Sequence, residues 1–181
     1  MMVNTLSRQT LARQSASYPF LVIGYDNELR GDDAVSAKVA ETIASWHLPE
    51  VKAMVVHQLL PELAVKIAQA SYVIFVDACT EESCTLRAQL SPITARLKNA
   101  SSRSLTHRHS AQGLLALTQK VYGHVPQAWL LQVPTKSFDF GEQLSSTAHR
   151  GIDDAVQTIE RLLLNYQVPY PATLEPCIKS A

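Results

Sequence analysis

A chain of 181 residues fits one domain, at roughly 100–200 residues per domain, and is long enough to enclose a real core. Its 16 Lys and Arg balance 16 Asp and Glu, which excludes the basic footprint of a nucleic-acid or anionic-membrane binder and leaves a protein or small molecule as partner. Three cysteines with no C-x-x-C pair argue for a reducing cytoplasm, and there is neither a signal-peptide core nor an apolar run near the roughly 20 residues of a membrane span.

Residues 1–18 are polar and read as a loose arm. Phe20-Leu21-Val22-Ile23 is a short apolar run stopped by Gly24, the pattern of a buried strand in a parallel sheet. The loop that follows carries Asp26, Asp32 and Asp33, and in open α/β sheets ligands collect at this C-terminal edge of the strands. Asp32 or Asp33 can then cap a helix whose apolar stripe is Val35, Val39, Ile43 and Trp46, with Pro49 preventing its return.

Val51 to His57 reads as a second strand, and Pro61 opens a short helix through about Gln69, with Leu63 and Ile67 inward. Tyr72-Val73-Ile74-Phe75-Val76-Asp77 is nearly all apolar, as expected of a central strand covered on both faces, and it ends in a carboxylate. Thr85 to Leu90 follows too closely for a crossover helix and so predicts an antiparallel edge strand; residues 91–106, around Pro92, read as a surface loop. A helix is expected from about Ser110 to Tyr122, terminated by Gly123, then a strand over Ala128 to Val133 ended by Pro134. The last helix runs from a Ser145 or Ser146 cap to about Tyr166 on Ile152, Val156, Ile159 and Leu163, and residues 168–181 read as a loose tail.

Asp33 at a helix start fits an N-cap as well as a ligand. Asp77 differs, because a carboxylate closing an apolar strand must be hydrated, paired or metal-bound. His107 and His109 precede a helix in a polar stretch where a solvated imidazole is ordinary. Two acids and an imidazole in one crevice would make an incomplete oxygen/nitrogen site with positions open to a substrate-borne metal or water. A dinucleotide site is excluded, since only Gly24 and Gly31 stand in the first loop and its carboxylates repel phosphate.

The run Gly24-Tyr25-Asp26-Asn27-Glu28-Leu29-Arg30-Gly31-Asp32-Asp33-Ala34-Val35 resembles the N-terminal signature of the hydrogenase maturation endopeptidases. Gln58-Leu59-Leu60-Pro61-Glu62-Leu63-Ala64, Val73-Ile74-Phe75-Val76-Asp77-Ala78, Thr106-His107 ahead of Leu114-Leu115, Val133-Pro134 and Phe138-Asp139-Phe140-Gly141 are similar to later segments of that family, so the likeness covers roughly residues 20–165. It implies a three-layer α/β/α fold with a twisted, mostly parallel five-stranded sheet. It also implies an aspartic-type endopeptidase that removes the C-terminal extension of a [NiFe]-hydrogenase large-subunit precursor. Asp33, Asp77 and His107 would be the catalytic and metal-contacting residues, and the nickel would arrive already bound in the precursor. A cytoplasmic monomer that meets neither membrane nor nucleic acid is expected. Asp26 in place of a glycine, with Ala34 and Ser36 where glycines are frequent, leaves two other readings open: a non-catalytic checkpoint that binds metallated precursor, or an unrelated small-molecule hydrolase on a similar sheet.

Overall fold

A computed structural model of the chain describes residues 18–25, 31–80, 87–96, 107–136 and 144–168, with the side chains of Asp33, Thr80 and residues 107–110 outside that description. Of the expected loose ends, residues 1–18 and 168–181, all but Tyr18 and Val168 lie outside the described residues, as does Asp26; those two are buried in the core and so do not belong to loose segments.

Five strands form one sheet: β1 (Phe20–Tyr25), β2 (Val51–Val56), β3 (Tyr72–Thr80), β4 (Gln89–Ile93) and β5 (Gln127–Thr135), in the order β2-β1-β3-β5-β4. Pairings of β1 with β2, β1 with β3 and β3 with β5 are parallel, and only β4 runs antiparallel, at the edge beside β5. The helices are α1 (Val35–Ser45), α2 (Leu63–Ala68), α3 (His107–Tyr122) and α4 (Ser146–Asn165), and a 3-10 turn, Gly31–Ala34, leads into α1.

Strand alternation divides the core into two layers. Leu21, Ile23, Phe75 and Leu130 pack on one face beneath Leu63 and Ile67 of α2 and Leu114 and Leu115 of α3. Val22, Ile74, Val76 and Leu131 pack on the other beneath Val39 and Ile43 of α1 and Ile159 and Leu163 of α4. The central strand β3 is buried on both faces, which is why its sequence lacks alternation.

Two glycines set how closely helices approach. A Cβ on Gly24 would collide with the backbone carbonyl of Ser36 in α1, and one on Gly151 in α4 would stand 2.7 Å from the Pro134 carbonyl oxygen. Both are therefore close-packing positions between helix and strand. The end of α3 needs glycine for a different reason, since Gly123 has φ +76 and closes the helix with its N–H on the Gln119 carbonyl.

Several boundaries differ from the sequence expectation. The edge strand occupies Gln89–Ile93 and includes Pro92, which had read as loop; on an outer strand a proline costs no ladder bond when its nitrogen faces away from the neighbour. Pro134 does not end β5, because β4 stops pairing at Gln132 and, among the described residues, no strand pairs with that side of β5 beyond it. The helix expected from Ser110 begins at His107, so His107 and His109 both stand in its first turn. Cys79 is disulfide-bonded, with its partner outside the described residues, against the expectation of reduced cysteines drawn from three cysteines with no C-x-x-C pair. Bridging depends on the tertiary approach of two residues, which spacing along the chain does not disclose.

Candidate active site

All parallel strands deliver their C-terminal ends to one edge of the sheet. The 3-10 turn holding Asp32 and Asp33 follows β1 at that edge. Asp77 is the sixth residue of β3, 5% exposed, on the face covered by α2 and α3, because Phe75 two residues earlier belongs to that core layer. α3 comes to the same edge from above: its last turn lies by the beginning of β5 at the opposite edge, and 16 residues carry it about 24 Å back. His107, its first residue, therefore begins over the C-terminal ends of the strands.

The three sequence candidates stand unequally. Asp77 lies in the central strand, but the strand does not end there as expected: it continues through Ala78 and Cys79 to Thr80, still paired with β5. Asp33 is placed by its backbone within the 3-10 turn, and His107 by its backbone at the start of α3; their side chains lie outside the described residues. Among the described residues no three His, Cys, Asp or Glu side chains gather as a metal site. His107 and His109, two positions apart in a helix, are separated by about 200° around its axis, so one cannot replace the other.

Asp32 has a different role from the helix cap expected of it. The residue at the N-cap of α1 is Ala34, which makes no side-chain cap hydrogen bond. The Asp32 carboxylate, 4% exposed, accepts instead from Ser145 N at 2.7 Å, Ser145 Oγ at 2.7 Å and Lys136 N at 3.0 Å. Two backbone amides and a hydroxyl occupy most of its acceptor capacity. The carboxylate thus ties the turn bearing Asp33 to the residue after β5 and to the N-cap of α4, where Ser145 Oγ also accepts from Ala148 N at 3.1 Å. Nothing in the sequence signals this, because the partners lie 104 and 113 residues away.

Around Asp77 the sheet changes character. Register places Gln132 of β5 beside Asp77, and Gln89 of β4 beside Gln132. On the other side Tyr25 follows Gly24, the partner of Val76, so Tyr25 flanks Asp77 on β1. Tyr25, Asp77, Gln132 and Gln89 form a polar row across four strands, immediately beyond the apolar row of Ile23, Phe75 and Leu130. The sequence reading passed over Gln132. Its one local signal was polarity within an apolar strand.

No family model matches the chain, and no curated protein matches it. Solved structures do match, in fold: the mostly parallel five-stranded sheet between helices is shared with hydrogenase maturation proteases. The hydrogenase maturating endopeptidase HybD from E. coli is 18% identical, with TM-score 0.64 over 82% of this chain and 93% of that one. HybD from Thermococcus kodakarensis, a [NiFe] hydrogenase maturation protease, is 17% identical with TM-score 0.60 over 80% and 98%. An endopeptidase from Escherichia coli solved in solution is 20% identical with TM-score 0.65 over 87% and 99%. At these identities the likeness is one of fold, and it agrees with the fold that the sequence resemblance implied.

Proposed function

We propose that this chain is an endopeptidase of hydrogenase maturation, removing the C-terminal extension of a [NiFe]-hydrogenase large-subunit precursor once nickel has been inserted. The observation that carries the reading is Asp77, a buried carboxylate toward the C-terminal end of the central strand, the end of the sheet at which the turn bearing Asp33 follows β1. The hydrogenase maturation proteases with this fold, and the residue-level resemblance through Asp33, Asp77 and His107, support it from outside the geometry.

Nickel in this reading belongs to the substrate. Two carboxylates and one imidazole are borderline-to-hard donors, suited to completing the shell of a metal already held by the precursor. Their contribution would make docking depend on metallation, because without the cation the crevice offers its anionic groups nothing to neutralise them. The substrate's metal supplies Lewis acidity toward the scissile carbonyl or toward water. Asp77, largely sealed from solvent, would take the proton of the attacking water.

Incubating the purified protein with nickel-loaded and metal-free precursor, followed by mass spectrometry of the precursor, tests the proposal. Cleavage of the loaded form alone is expected. Binding of the loaded form without cleavage would replace the enzyme by a checkpoint protein, and neither binding nor cleavage would overturn the reading in favour of a different substrate.

A further inference from the structure

On the reading just given, we propose that Gln132 and Gln89 form a subsite for the backbone of the precursor's extended tail, running from Asp77 across the sheet end to its open edge at β4. Both side chains lie on the Asp77 face: Leu130 and Ile93, in step with them along β5 and β4, belong to the core layer under α2 and α3. The register is continuous, Asp77 beside Gln132 and Gln132 beside Gln89.

Chemistry and spacing fit a peptide. A glutamine amide presents one acceptor and two donors, the complement of a peptide unit, and adds no charge to a crevice already rich in carboxylates. Neighbouring strands are about 4.8 Å apart, so Asp77 to Gln89 spans about 10 Å, the reach of about three extended residues. Gln132 is half-buried and Gln89 exposed, and among the described residues neither amide has a hydrogen-bond partner. The row thus grades from a closed end at Asp77 to an open one at β4.

Peptide addition along the β4 edge is the competing geometry. Pro92 disfavours it, because it removes a backbone donor from a strand of only five residues. A tail crossing the strand ends needs no such donor and meets side chains instead.

The test is steady-state cleavage of nickel-loaded precursor by Gln132→Leu and Gln89→Ala, alongside photo-crosslinking from a benzoylphenylalanine at position 89. One lost peptide hydrogen bond corresponds to a rise in KM of about five- to tenfold, and the loss should fall on KM with kcat little altered. Crosslinks should map to the extension. KM values equal to wild type in both variants, a loss confined to kcat, or crosslinks only outside the extension would overturn the subsite. Should Gln132→Leu fail to fold, the Gln89 variant and its crosslink still decide. Failure of the wild-type protein to cleave or bind would count against the proposed function itself, whereas a cleaving wild type with indifferent glutamine variants would count against the subsite alone.

Discussion

Asp32 and Asp77 are both carboxylates with less than a tenth of their surface exposed, and different tests apply to each. Asp32 is held by three donors from two distant segments, so its role is to fix backbone. Replacing it by Ala strands the amides of Lys136 and Ser145, and stability should fall by about 3 kcal/mol or more, read from urea unfolding. Asp77→Asn keeps shape and one acceptor; the unfolding temperature should stay close to wild type while precursor cleavage is lost. An Asp77→Asn protein that still processes precursor would remove this residue from the chemistry. The histidine pair offers a third test at this scale. With both residues in the first turn of α3 and on different sides of it, His107→Ala should abolish cleavage and His109→Ala should leave most of it, and a reversed result would move the imidazole role to His109.

At the scale of elements, helix placement depends on where a Cβ can be accommodated. Gly24→Ala would drive a methyl into the Ser36 carbonyl and displace α1 from β1, along with the 3-10 turn that leads into it. A cost of about 2–3 kcal/mol is expected by chemical denaturation, since the collision is with backbone rather than a flexible side chain. Gly113 is the control on α3. A Cβ there meets nothing within 4 Å, so Gly113→Ala should stabilise the protein by about 0.5–1 kcal/mol through helix propensity. Opposite signs for two glycine-to-alanine changes would separate close approach from ordinary helix preference.

Across the whole molecule, the two ends of the strands differ in composition, one aromatic and the other polar. Phe20 and Tyr72 stack with ring centroids 4.6 Å apart, and Tyr166 meets Tyr72 at 4.4 Å and Trp129 at 6.0 Å, which locks the start of three strands to the end of α4. The opposite end carries Asp32, Asp77 and Gln132. Tyr18, beside the beginning of β1, has its phenol pushed above the usual value of 10.0 by burial, and the phenol donates to the Lys66 carbonyl. A folded-state value above the unfolded one means that the native state favours the protonated phenol. Stability from this group is complete below about pH 10 and is lost as pH rises through the folded value. Tyr18→Phe should flatten that alkaline decline, measured as unfolding free energy between pH 9 and 11, and an unchanged slope would show that other groups govern it.

Much of the fold was legible because it rests on local patterns. Uninterrupted apolar runs marked β1 and β3, the spacing from Val35 to Ile43 marked α1, and Gly123 marked the end of α3, since burial on one face or two imposes its own period on the chain. Asp77 was legible as a charge in an otherwise apolar run, although the strand continues past it to Thr80. What the sequence did not carry was decided by partners far away along it. Pro134 lies inside β5 because β4 stops short of it, and Pro92 is tolerated in β4 because that strand lies at the sheet's edge. Asp32 serves as an anchor because Lys136 and Ser145 come to it across more than a hundred residues, and Gln132 gains meaning only from standing beside Asp77. Sequence determines the periods and the punctuation of its elements; which polar groups meet at the end of the sheet is set by strand order and register, and only the assembled tertiary structure fixes those.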